Sequence, residues 1–320
     1  MKELLLIDER TVARLLTLDK AMIAVEQAFV AHALRKGRLF PVVKEKYSDQ
    51  GSFSLKSGVM LGPDTLGVKA AGSWRCNPAR GLPTVQATVL LVDPDTGEPL
   101  ALIAGKTLTT MRTGAAGGVA ARLLARRDAA VLGVVGTGVQ GEIQTEAVLA
   151  VRPSIRAIVC CNPQGPVPER FTDRFKDRVR VSLCSTPGEV AREADIIITA
   201  TPSSEPLIDA NCVRTGTHIN AMGTDSPGKR EIGPDLLRRA TRFVDSADQA
   251  RAIGEHQYAQ DLPVVEIGSL LSQPEIFRRG SDEVTLFDST GIAFQDLAAA
   301  RQVYDLAVAA GDGLRVKWPS

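Results

Sequence analysis

The chain has 320 residues, with 38 Lys and Arg against 37 Asp and Glu. That length is long for one compact core and points to two domains. The near-zero net charge, with no basic block, argues against nucleic acid or an anionic membrane surface as a partner.

The first residues, Met1-Lys-Glu-Leu-Leu-Leu-Ile-Asp-Glu, hold an apolar run too short for a secretory signal. No uncharged run approaches the roughly 20 residues that span a bilayer, so the expected location is the cytoplasm. Asp8 and Glu9 open a short helix. Asp19 caps a longer one, Lys20–Arg35, in which Ala21, Ile23, Ala24, Ala28 and Phe29 form an apolar stripe, and Gly37 ends it. From Pro41 to Ile103 the pattern changes to short runs, and strands are expected at Val42–Tyr47, Ser52–Ser57, Gly67–Ala71, Val85–Val92 and Pro99–Ile103. The last two flank Asp93-Pro-Asp-Thr-Gly97, a strong turn signal, and should form a hairpin. Thr107–Leu124 reads as a helix rich in small residues, with Arg112 in its first turn. This part is a mixed or antiparallel α+β domain.

The most informative stretch follows. Ala129–Val135 is an apolar, β-branched run that stops at Gly136-Thr137-Gly138-Val139-Gln140-Gly141, after which Glu142–Leu149 looks helical. A buried strand, a tight turn and a helix start are what a dinucleotide site needs. Gly136 permits the turn, Gly138 removes a side chain where backbone meets pyrophosphate, and Gly141 lets helix and strand pack closely. The helix N-terminus offers free N–H groups to the phosphates.

From this run on, strands are expected at Val131–Val135, Ala157–Cys161, Val179–Leu183, Ile196–Ala200, His218–Ala221, Phe243–Asp245 and Val284–Phe287, with helical segments between most of them. This βαβ series implies an α/β, doubly wound parallel sheet of the Rossmann kind. Asp288-Ser-Thr-Gly291 is a turn, and Ile292–Ala310 is a long helix ended by Gly311. The second strand of the series ends at Cys160-Cys161-Asn162-Pro163. An acid there would hold the adenosine ribose of NAD and a nearby arginine would favour NADP. Asn162 does neither, and Arg170 is several residues on, so the reading leans to NAD(H) with NADP(H) open.

The cysteines Cys76, Cys160, Cys161, Cys184 and Cys212 are odd in number and form no Cys-x-x-Cys pair, which suits buried free thiols in a reducing compartment. His32, His218 and His256 have no metal spacing, and no metal is expected. Three charged residues stand out. Lys69, in a glycine-flanked apolar strand, is costly to bury without a partner, and spacing alone does not separate a pocket lysine from a strand-edge one. Arg112 suits bidentate binding of a carboxylate, and an exposed helix arginine is the ordinary alternative. Asp225 follows an apolar strand at the sheet edge where ligands bind in such folds, although turn-capping aspartates are common. Trp74, beside Arg75, is equally a pocket wall or a core aromatic.

The chain resembles the ornithine cyclodeaminase/μ-crystallin family, which includes archaeal-type alanine dehydrogenases and imine or ketimine reductases. The resemblance runs through Gly67-Val-Lys69-Ala-Ala-Gly72, Leu82-Pro-Thr84, Thr110-Met-Arg112-Thr113-Gly114, Val135-Gly-Thr-Gly-Val-Gln140, His218–Lys229, Val244-Asp245 and Phe287–Gly291. It implies a homodimer with a substrate-binding and dimerisation domain, residues 1–115 plus 292–320. An NAD(P)-binding Rossmann domain, 116–291, is inserted in it. It implies that Lys69 and Asp225 are catalytic and that Lys44, Lys69, Thr84 and Arg112 bind substrate. Arg112, Thr113, Gly136, Thr137, Gly138, Val139, Gln140, Asn162, Met222, Gly223 and Gly291 would hold the cofactor. Family members often carry an arginine in the strand after the long N-terminal helix, and Lys44 stands nearest to it here. Lysine lacks the guanidinium fork, so ornithine or alanine specificity does not transfer directly. The short tail after Gly313 is closer to the dehydrogenase and imine-reductase branches. The expectation is an NAD(P)H-dependent reductase of a small imino acid, such as 1-pyrroline-2-carboxylate or iminosuccinate, reversible as an amino-acid dehydrogenase. The alternatives are a redox-neutral ornithine cyclodeaminase and a ligand-binding protein with little turnover.

Overall fold

The computed structural model describes residues 3–62 and 64–318. The chain divides into two compact units, Met1–Arg112 with Ile292–Ser320, and Thr113–Gly291.

The first unit is a sheet with helices on one face. Its strands are β1 (Glu3–Ile7), β2 (Gly37–Leu39), β3 (Val43–Ser48), β4 (Gly51–Met60), β5 (Thr65–Trp74), β6 (Val85–Val92) and β7 (Pro99–Ala104), with a last strand at Leu314–Lys317. The order is Leu314–Lys317, β1, β7, β6, β5, β4, β2, with β3 also on β4. β1 pairs in parallel with β7 and the other pairs are antiparallel. The expected hairpin joins β6 to β7, with Leu90 opposite Leu102. Its turn is closed by Asp93, whose Oδ1 accepts from the backbone of Asp95 and Thr96 at 2.9 Å each, an aspartate mimicking a backbone turn. The strands β1, β2 and Leu314–Lys317 were not expected. Each is only three to five residues long.

Helix α1 (Glu9–Leu15) is capped as expected, Asp8 Oδ1 accepting from Thr11 N at 2.8 Å. Helix α2 spans Leu18–Ala33, so the boundaries expected from Asp19 and Gly37 need correction. Thr17 is the N-cap and Asp19 lies in the first turn, where its charge complements the helix dipole. The exit runs through Arg35 at φ 55°, and Gly37 already belongs to β2. The C-terminal helix, Ala293–Ala310, packs on α2 and across β4, β5 and β6. Phe29, Met60, Phe294 and Leu297 are buried in that layer. Helix α3 spans Gly105–Leu124, two residues earlier than expected, because the Glu9 carboxylate accepts from the backbone N–H of Lys106 and Thr107 at 2.8 and 2.9 Å. Arg112 therefore lies about two turns in, not in the first turn.

The second unit is a wholly parallel sheet. Its strands are β8 (Val131–Val135), β9 (Ala157–Cys161), β10 (Arg180–Leu183), β11 (Ile196–Thr199), β12 (His218–Ala221), β13 (Thr241–Val244), β14 (Val265–Glu266) and β15 (Thr285–Asp288). The order is β10-β9-β8-β11-β12-β15-β13-β14. From β8 the chain winds outward through β9 and β10, then returns to lay β11 on the other side of β8. The carboxyl ends of β8 and β11 thus flank a topological switch point, the place where ligands enter such sheets. Side chains of β9, β11, β12 and β15 are buried throughout, as expected of strands covered on both faces. Among the described residues no helix is long and apolar enough to cross a membrane.

Candidate active site

In the first unit the chemistry gathers on one carboxylate. On β5 side chains alternate, and Thr65, Gly67 and Lys69 are the buried positions. Gly67 brings the C-terminal helix close, since a Cβ there would lie 2.9 Å from Leu297 Cδ2. Lys69, 4% exposed, follows on the same side, and its Nζ donates to Asp296 Oδ1 at 2.7 Å. Arg112 Nε donates to the same oxygen at 2.8 Å, and its Nη1 donates to Gln295 Oε1 at 2.9 Å. Arg112 is buried, so the exposed-arginine reading fails. Burial pulls the Lys69 ammonium down to about 7, against the pull of Asp296 and with help from the positive charges of Arg112 and Lys56. Burial also works against the Asp296 carboxylate, but Arg112 and Lys69 outweigh it and keep its pKa below the ordinary value.

Two atoms of this cluster, Asp296 Oδ2 and Gln295 Nε2, are buried with no hydrogen-bond partner among the described residues. Buried polar atoms are rarely left so, and both are open to a polar ligand. Sequence reading missed Gln295 and Asp296. The available signal was a polar pair inside the apolar run Ile292–Ala300. Lys44, on β3 opposite Ser54, and Thr84, just before β6, are exposed and stand outside the buried cluster.

In the second unit the glycine turn separates into three roles. Gly136 has φ 94°, and a Cβ there would lie 2.6 Å from Ala200 O. A Cβ on Gly141 would lie 2.0 Å from Gly136 O, whereas one on Gly138 would meet nothing within 4 Å. Helix α4 (Val139–Val151), longer than the expected Glu142–Leu149, is entered through Gly138 without a side-chain cap. Thr137 is buried, its Oγ1 and Gln140 Oε1 have no hydrogen-bond partner among the described residues, and Val139 is 54% exposed. An open approach at Gly138, uncapped helix donors and an orphan hydroxyl fit a dinucleotide pyrophosphate. Asn162 is half-buried and donates from Nδ2 to Pro166 O at 3.2 Å, while Arg170 pairs with Glu142 at 3.0 Å.

Asp225 lies in the irregular segment after β12. Its Oδ1 accepts from Lys229 Nζ at 2.8 Å and from Ser226 Oγ at 2.9 Å, and its side chain is 45% exposed. Met222 N donates to Thr199 O and Gly223 N to Glu231 Oε2, each at 2.9 Å. Gly291 N donates to Asp245 Oδ2 at 2.6 Å, and Thr113 O accepts from Gln144 Nε2 at 2.7 Å. Lys69 and Arg112 belong to the first unit, and the glycine turn and Asp225 belong to the second.

The cysteine expectation holds in part. Cys160 and Cys161 are buried thiols, pushed up to about 12 by burial, because they end a covered strand. Cys76 is exposed, its Sγ donating to Gln50 Oε1 at 3.2 Å. His218 sits between Thr285 Oγ1 and Asn220 Oδ1 at 3.0 and 2.9 Å, and burial lowers it to about 3, which makes it a neutral core residue.

A sequence model of the ornithine cyclodeaminase/mu-crystallin family matches residues 2–311. The iminosuccinate reductase of Paracoccus denitrificans is 36% identical over 95% of this chain and 97% of its own. An archaeal alanine dehydrogenase dimer solved with bound NAD is 35% identical and superposes with a TM-score of 0.92, covering 99% of this chain and 100% of that one. The Δ1-pyrroline-2-carboxylate reductase of Thermococcus litoralis, solved with NADH and L-proline, is 28% identical with a TM-score of 0.90, over 98% of this chain and 100% of its own.

Proposed function

The chain belongs to the ornithine cyclodeaminase/mu-crystallin family, and from that premise we propose that it is an NAD(H)-dependent reductase of a small imino acid, reversible as an amino-acid dehydrogenase. The observation that carries this reading is the buried cluster in which Lys69 and Arg112 share Asp296 Oδ1. Two cations fixed side by side in a dry place suit a substrate carboxylate. NADH, when bound, supplies hydride to the C=N carbon. Lys69 and Arg112 hold the α-carboxylate and polarise the imine. Asp225, ion-paired with Lys229, relays the proton or positions water or ammonia. Thr84 orients the substrate and Lys44 adds a second positive charge.

Gly136, Thr137, Gly138, Val139 and Gln140 receive the pyrophosphate, Asn162 the adenosine ribose, and Arg112, Thr113, Met222, Gly223 and Gly291 line the rest of the cofactor. Asn162 without a free arginine beside it supports NAD(H), since Arg170 is engaged with Glu142. The relatives' bound NAD and NADH agree with this. The unit that holds Lys69 serves substrate and dimerisation, and the parallel-sheet unit serves the cofactor. Free thiols support a cytoplasmic setting.

The test follows absorbance of the reduced nicotinamide. The protein is mixed with NADH or NADPH and 1-pyrroline-2-carboxylate, iminosuccinate, or 2-oxo acids with ammonia, and a parallel sample holds ornithine with NAD. Consumption of NADH with one imine is the expected result. Ammonia released from ornithine with no net change in cofactor would make the protein a cyclodeaminase instead.

A further inference from the structure

The segment Gly223–Ile232 carries Asp225 and is irregular, yet it is braced from several sides. Glu231, wholly buried, accepts from Thr201 N, Thr201 Oγ1, Thr199 Oγ1 and Gly223 N at 2.7–2.9 Å. That ties the segment to the end of β11. A second brace comes from the 3-10 turn Glu255–Tyr258. Glu255, also wholly buried, accepts from Thr224 Oγ1 at 2.6 Å, Glu231 N at 2.8 Å and Ile232 N at 3.2 Å. Gln257 accepts from Gly228 N at 3.0 Å and donates to Lys229 O at 3.1 Å. The Arg230 guanidinium lies 4.6 Å from the Tyr258 ring centre. These contacts fall on residues within and around the segment that holds the Asp225–Lys229 ion pair.

We propose that the turn Glu255–Tyr258 is a clamp that fixes the place of Asp225, with Glu255 and Gln257 as positioning residues for the reaction. The inference rests on the reading of Asp225 as the acid/base group. A connection between β12 and the next helix needs no buried carboxyl, and burying one is costly unless its hydrogen bonds are valuable to the fold or the site. Three accepted hydrogen bonds offset that cost for Glu255. Burial, the charge of Asp288 on β15 and that of Glu231 push it up to about 8, although the Thr224 bond opposes them. The other titratable group beside it, His256, is taken by Asp288, with Nδ1 and Oδ2 2.7 Å apart.

The experiment compares Glu255→Gln, Glu255→Ala, Gln257→Ala, Thr224→Val and Asp225→Asn. The readouts are kcat and KM with NADH and 1-pyrroline-2-carboxylate or iminosuccinate, NADH affinity by fluorescence, and hydrogen exchange of the amides 223–230. Glu255→Ala and Gln257→Ala should lower kcat by about tenfold or more and speed exchange, with NADH affinity little changed. Glu255→Gln keeps the acceptor for Thr224 and Glu231, losing only the longest bond. It should retain most activity. Native kcat and exchange in both alanine variants would overturn the clamp, as would a Glu255→Gln as slow as Glu255→Ala. If Glu255→Ala fails to fold, Gln257→Ala and Thr224→Val decide by the same readouts. Full activity in Asp225→Asn would instead remove Asp225 from the chemistry and leave the exchange result to judge the clamp alone.

Discussion

At the scale of single residues the decisive contact joins positions 69 and 296, and no local pattern in the sequence connects them. Lys69 and Arg112 were legible because a cation in an apolar strand or a small-residue helix is conspicuous. Asp296 was not, because a lone acid near a helix start reads as ordinary dipole complement. Its effect is testable. Asp296 is the anion that raises Lys69 against burial, so Asp296→Asn should move Lys69 below about 7. If the charged lysine holds the substrate, kcat/KM falls as pH rises through about 7 in the native enzyme. The same limb should sit at lower pH in the variant, and an unmoved limb would detach Lys69 from it. The variant also leaves buried cations unpaired, which costs about 3–5 kcal/mol in comparable sites. The folded state holds the Lys69 proton less tightly than the unfolded chain, so between about 7 and 10.5 stability gains from this group as pH rises. Because Asp296→Asn lowers the folded-state value further, its stability deficit, measured by urea unfolding, should shrink as pH rises towards about 7 and hold steady between about 7 and 10.5.

At the scale of elements, legibility followed burial. The strands β8, β9 and β12 matched their expected bounds, since covered parallel strands read as continuous apolar runs with turn residues at each end. The short strands β1, β2 and Leu314–Lys317 escaped, because their pairing depends on neighbours distant in sequence. Cap chemistry was legible at Asp8 and misleading at Asp19, where a first-turn acid and an N-cap look alike one residue at a time. The glycine turn offers a clean separation of folding from binding. Gly141→Ala drives a Cβ against Gly136 O and should cost about 1–3 kcal/mol of stability, visible as a lower Tm. Gly138→Ala meets open space and should leave Tm unchanged while weakening NADH binding, by calorimetry, through its methyl group at the pyrophosphate approach. Equal NADH affinity in Gly138→Ala and the native chain would remove the turn from the cofactor site.

For the whole molecule, one sheet face of the first unit asks for a partner. The register places Val43 beside Leu55 and Ala70, Phe53 beside Gly72, and Val68 beside Leu90 and Leu102. Alternation turns these away from the side of Lys69 and the helices. Val43, Phe53 and Leu102 are 48%, 40% and 40% exposed, spread over β3, β4 and β7. An apolar row crossing several strands exceeds what isolated surface residues explain and marks an interaction face. The dimerisation role proposed for this unit makes a second copy of the chain the expected occupant. A two-fold interface presents each residue twice, so one substitution acts twice. At about 2 kcal/mol for each central position, Phe53→Lys should cost roughly 4 kcal/mol, or about a thousandfold in the dimer constant. Light scattering after size exclusion should give twice the chain mass for the native protein and a single chain for Phe53→Lys at micromolar concentration. A native monomer, or a Phe53→Lys dimer of unchanged strength, would assign this face to something other than a second copy.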